Sequence, residues 1–168
     1  MYLPQAKCTV CKAGFTVYPA GIYPRRQYQL DVVAEVAAGG ALAGKTPAAA
    51  AAPAGASATS ARRWIRWLAS LACPGELAML TARLDPDAPA GAGLPDASGK
   101  DRDRAGRVLG ALEQVGLALL RAGVACVEQT GLGRLLGWQH RSHGDNYTLV
   151  DRLAVSTAMV PEAVPRPP

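Results

Sequence analysis

The chain has 168 residues and a mass of 17.4 kDa, which suits one domain or two small lobes. Its apolar share of 49% overstates the core it can build, because 33 Ala, 18 Gly and 13 Pro bury little area each; Leu, Ile, Val and Phe number only 35. The net charge of +5 is unevenly placed: residues 1–72 hold eight basic side chains against Asp31 and Glu35, and residues 73–168 hold ten basic against eleven acidic ones. Such a basic segment is the footprint of a polyanionic partner, nucleic acid or an anionic surface. The most apolar stretch, 105–127, is interrupted by Arg107, Glu113 and Arg121, which argues against a membrane span. No charged-then-apolar leader opens the chain, so the expected setting is the cytoplasm.

The first 27 residues read as extended and turn-rich, with Cys8-Thr-Val-Cys11, Phe15-Thr-Val-Tyr18, Pro19 and Pro24. A helix is predicted from about Tyr28 to Ala38, with Leu30, Val33, Ala34 and Ala37 at helical spacing and Gly39-Gly40 as its stop. A second begins at Thr46, whose hydroxyl can cap free N–H groups while Pro47 sits in the first turn, and it ends near Gly55. Ser57 is the next cap, opening a third helix from Ala58 to about Leu71. A short helix over Glu76–Leu84 follows Pro74.

Residues 85–102 read as a linker rich in Pro, Gly and Asp that leads into the charge run Lys100-Asp-Arg-Asp-Arg104. A long helix is then expected from about Asp103 to Glu128, with Val108, Leu112, Val115, Leu119, Ala122 and Cys126 on one buried stripe. Leu117 and Val124 fall on the opposite side, which suggests a homodimer contact through 103–128. A short helix over 131–138 and a polar loop through His140, His143 and Asp145 complete a helical lobe, 103–150, and the tail, 151–168, is expected to be partly disordered.

The pair of helices over 47–66 carries the strongest functional signal. A helix-turn-helix needs a small residue in its first helix, a turn residue four positions on, and apolar side chains holding the second helix to its supports. Ala51 and Gly55 meet the first two requirements, and Ala50, Ala54, Ala56, Ala61 and Trp64 fill the internal places. On the third helix Ala61, Trp64, Ile65 and Leu68 form one stripe, while Thr59, Arg62, Arg63 and Arg66 occupy the reverse face. Ser57, Thr59, Arg62, Arg63 and Arg66 are therefore candidate contacts to double-stranded DNA, since a guanidinium fork can bridge guanine O6 and N7 or a phosphate. Arg25, Arg26 and Lys45 are candidate phosphate contacts.

Residues 8–72 resemble bacterial helix-turn-helix proteins of the transposase-associated, mobile-element type. The resemblance rests on a cysteine-knuckle segment, on Phe15-Thr-Val-Tyr18-Pro19 and Tyr23-Pro24-Arg25-Arg26-Gln27-Tyr28, and on Gly55-Ala56-Ser57 with Arg62-Arg63-Trp64 and Trp67. The stretch from Gly123 to Arg134 resembles the C-terminal part of the same group. What the resemblance implies is DNA binding by residues 46–68. Two features depart from it. Family members carry two cysteine knuckles as a zinc ribbon, whereas Cys8 and Cys11 supply only a half-site of the four ligands that structural zinc needs, so no cofactor is expected. Pro53 also lies inside the first helix of the unit, where it removes a hydrogen bond unless the helix ends early.

The remaining motifs carry little chemistry. His140 and His143 with Asp145 make at most three metal ligands, and Gly39…Gly44-Lys45-Thr46 follows a helix rather than the strand a phosphate loop requires. No nucleophile turn is present, so neither catalysis nor a small-molecule substrate is expected. The expected fold is all-α: a cysteine-knuckle remnant over 1–27, a helix-turn-helix lobe over 28–84, and the helical lobe beyond the linker. The expected function is sequence-specific DNA binding, regulatory or transposase-associated, at the nucleoid and without membrane contact. The alternatives are a helical protein–protein adaptor and a non-functional fragment of a mobile-element gene.

Overall fold

The computed structural model describes residues 5–7, 9, 11, 12, 14–16, 28–71, 74–87 and 99–143. Among the described residues six α-helices carry the fold: α1 (Leu30–Ala41), α2 (Pro47–Ala51), α3 (Ala58–Leu71), α4 (Pro74–Leu84), α5 (Asp101–Arg121) and α6 (Gly131–His143). Ahead of them, two three-residue strands, β1 (Gln5–Lys7) and β2 (Gly14–Thr16), pair antiparallel with Ala6 opposite Phe15. The expected all-α architecture is therefore observed, with the N-terminal segment folded in part into this small hairpin. Among the described residues no helix is long and apolar enough to cross a membrane.

α1 starts two residues later than expected, at Leu30, and runs through Gly39-Gly40 to Ala41 rather than stopping at them. Packing explains the difference. Gly40 is buried against α3, and a Cβ there would lie 2.7 Å from Ile65 Cδ1, so a larger residue would have to push that terminal methyl aside. Tertiary contact outweighs the low helix propensity of glycine here.

α5 begins at Asp101, inside the segment expected as linker, and ends at Arg121, seven residues before the expected Glu128. The stop is a Schellman motif: Gly123 takes φ 77°, its N–H donates to Leu120 O at 3.0 Å, and Val124 N–H donates to Leu119 O at 3.0 Å. Val124 packs on the core next to this turn, so it does not occupy an outer face of the helix. Val108, Leu112, Val115 and Leu119 form the buried stripe as expected, but Cys126 lies beyond the helix and is only half-buried. Leu117 is 40% exposed on α5.

α6 is longer than the 131–138 helix expected and carries the backbone of His140 and His143, which are helical rather than in a polar loop. Asp145 and the tail lie outside the described residues.

α5 is the central element, and its buried face meets α1, α3, α4 and α6 in one continuous cluster. Leu30, Leu68, Leu77, Leu80, Leu112, Leu119, Leu132, Leu135 and Leu136 are almost fully buried in it. Helices from both expected lobes, 28–84 and 103–150, contribute to this one cluster. A smaller cluster of Val36, Ala50, Ala51 and Ala61 joins α1, α2 and α3 at one end.

Candidate nucleic-acid interface

The helix pair at residues 46–71 is built by local signals. Thr46 Oγ1 accepts from Ala49 N–H at 3.3 Å, and Pro47 occupies the first turn of α2. Pro53 could not donate to the carbonyl four residues back, and the chain tightens into a 3-10 turn over Ala52–Ala54. The α-helix thus ends early, without a kink. Gly55 adopts φ 60° and ψ 22°, its N–H donates to Ala52 O at 3.0 Å, and Ala56 N–H donates to Ala51 O at 3.1 Å. This is a second Schellman closure. It turns the chain into Ser57, whose Oγ accepts from Ser60 N–H at 3.0 Å and so caps α3.

The inner face of α3 is fixed by small residues and one aromatic. Ala51 and Ala61 are fully buried where α2 meets α3, and Ala54, Ala56 and Trp64 pack on the same cluster. Trp64 also meets Tyr28 edge-to-face, with ring centroids 5.0 Å apart and planes at 74°. Leu68 enters the main core at 0% exposure. The outer face carries Thr59, Arg62, Arg63 and Arg66, all exposed.

Arg62 and Arg66, one turn apart, line a surface cleft of about 240 Å³ together with Lys45 and Arg102. Lys45 comes from the turn between α1 and α2, and Arg102 from the first turn of α5. Ile65 and Gly40 contribute apolar lining, and Asp101 is the one carboxylate at the cleft among the described residues. Arg66 Nε lies 3.8 Å from Asp101 Oδ2, an ion pair between side chains 77% and 57% exposed. Arg63 is not among the lining groups, so the arginines of α3 divide between a cleft-facing pair and one that lies apart from it.

Of the sequence-predicted residues, then, Lys45, Arg62 and Arg66 are brought together, Thr59 and Arg63 lie on the same helix outside the cleft, and Ser57 serves as its cap. Arg25, Arg26 and Cys8 fall outside the described residues. Cys11 is an exposed thiol in the hairpin connection, and among the described residues no group of three or more His, Cys, Asp and Glu side chains could hold a metal. Arg102 was missed by sequence reasoning. The signal was the charge run 100–104, which reads as a solvated linker end until α5 packs beside α3.

Comparison with family models, with curated proteins and with solved structures finds no significant match to this chain.

Proposed function

We propose that this protein binds double-stranded DNA through α2, the Gly55 turn and α3, in a regulatory or mobile-element setting and with no catalytic step of its own. One observation carries the reading: α3 buries Ala61 and Leu68 completely while Arg62, Arg63, Arg66 and Thr59 stand in solvent on its other side. A helix held from behind in this way can enter a major groove with its cations forward. Arg63 and Thr59 are the base-edge readers in this scheme, and Lys45 contacts the phosphates. Neither zinc nor another cofactor is required by it, and the transposase-associated resemblance of residues 8–72 points the same way.

The test is selection of duplexes from a random pool by the full chain, followed by fluorescence anisotropy at several salt concentrations. Wild type is expected to enrich one sequence, and Arg63→Ala to relax its preference by about 1–3 kcal/mol. Failure of the wild type to bind any duplex would overturn the reading.

A second reading, a protein–protein adaptor or homodimer, is favoured by Leu117 and Leu120, which are 40% and 43% exposed on α5. Sedimentation of wild type against Leu117→Glu distinguishes it: a concentration-dependent dimer that the substitution dissolves supports this second reading.

A further inference from the structure

We propose that the first turn of α5 belongs to the DNA interface: the cleft formed by Lys45, Arg62, Arg66 and Arg102 seats a backbone phosphate of the duplex, and Asp101 is an internal competitor for that seat. The inference rests on the DNA-binding reading of α3 and extends it to a helix outside the helix-turn-helix.

Three separate segments supply the four cations: the α1–α2 turn, α3 and α5. Like charges converge in this way at a cost, and an anion that spans them relieves it. Arg102 reaches over the turn, since a Cβ placed on Gly44 would lie 3.6 Å from its Nη2. Its guanidinium therefore stands over the turn that carries Lys45 rather than pointing away from the bundle. Arg62 and Arg66 line the same cleft from one turn of α3. Ile65 and Gly40 add apolar surface, and such low-dielectric walls concentrate the field of the surrounding charges.

Asp101 is placed to be displaced. Its contact with Arg66 is long at 3.8 Å, and both side chains are well exposed, so water and salt already weaken the pair. A phosphodiester entering the cleft takes over Arg66 and leaves Asp101 to solvent at the positive end of α5. The unliganded cleft thus keeps part of its own charge neutralised.

The phosphate is assigned to duplex backbone rather than to a free small anion. The cations are exposed side chains, and two of them, Arg62 and Arg66, stand on the helix that also carries Thr59 and Arg63. A shallow seat of this kind suits a polyanion, which gains from many modest contacts and released counterions.

The experiment measures duplex affinity of the full chain by anisotropy between 50 and 300 mM salt, roughly the range over which phosphate contacts are resolved. Arg102→Ala is expected to weaken every duplex alike, roughly 3- to 10-fold, and to reduce the salt slope by about one without altering the selected sequence. Asp101→Asn is expected to act in the opposite direction, with several-fold tighter binding. Circular dichroism of both variants, and Arg102→Lys as the conservative replacement that restores the slope, separate contact from folding. A wild type that binds duplex while neither Arg102→Ala nor Asp101→Asn changes its affinity or slope would overturn the inference and leave the α3 reading intact. So would saturable binding of inorganic phosphate that Arg102→Ala abolishes while duplex affinity is unmoved. A wild type that binds no duplex at all overturns both.

Discussion

Asp31, on the first turn of α1, accepts both the backbone N–H of Thr130 at 2.9 Å and the Thr130 hydroxyl at 2.6 Å through the same carboxylate oxygen. The other oxygen takes Gln129 N–H at 2.9 Å, so one acidic side chain closes the entry to α6 from 99 residues away in the sequence. Thr130 Oγ1 in turn accepts from Gly133 N–H at 3.1 Å, completing the cap. Asp31→Ala is expected to cost about 2 kcal/mol, because it leaves several donors at a helix start without their charged acceptor. Glu35→Ala, on the exposed side of α1, is the control and is expected to fall within about 0.5 kcal/mol of wild type. Urea midpoints at constant slope read both.

The α2–α3 contact is set by alanine. Ala51 has 0% exposure, and Ala51→Leu would force branched carbon into a space that holds one methyl group. A loss of about 1–3 kcal/mol is expected from such overpacking, while Ala52→Leu, one exposed position further on, is expected to be nearly neutral. Thermal denaturation of the pair checks this, and a tolerated Ala51→Leu would mean that α2 does not bear on α3 as described.

Gly55 separates backbone strain from collision. A Cβ there would meet nothing within 4 Å, yet φ is +60°. Gly55→Ala is therefore expected to destabilise by about 1–2 kcal/mol through the left-handed conformation alone. Gly55→Asn is expected to cost less, since asparagine tolerates that region better. Equal losses for the two would assign the effect to something other than φ.

A shared core should unfold as one unit. Leu112, on α5, is fully buried within the cluster that joins α1, α3, α4 and α6. Leu112→Ala is expected to cost about 2–5 kcal/mol. The wild type is expected to lose helical circular dichroism and tryptophan fluorescence in coincident transitions. Separate transitions for the two probes would mean that the shared cluster does not unfold as one unit.

What could be read from the sequence was local. Thr46, Pro47, Gly55 and Ser57 sit within a few bonds of the backbone groups they satisfy, so their residue types announce the ends of α2 and α3 without knowledge of the rest of the chain. Periodicity likewise marked Ala61 and Leu68 as inward and the arginines as outward. Gly123 carried an equally local signal, but the apolar stripe running on through Ala122 and Cys126 concealed it. Gly40 and Asp31 were beyond such reasoning: their partners, Ile65 and Thr130, meet them only after the helices pack. Arg102 belongs with them, since its position beside Arg62 and Arg66 follows from α5 lying along α3.

The placement of α5 also bears on when the basic face comes into being during synthesis. Leu68 and Ala69 of α3 are covered in a cluster to which α5 contributes Val108, Leu109 and Leu112, all made some forty residues later. α1, translated earlier still, meets the segment at Gln129 and Thr130 near the end of the described chain. A ribosome that has released only the first hundred residues therefore holds helices whose apolar sides are uncovered, and contacts between such distant segments form slowly. The arginine-bearing surface acquires its final support only when the second half of the polypeptide arrives.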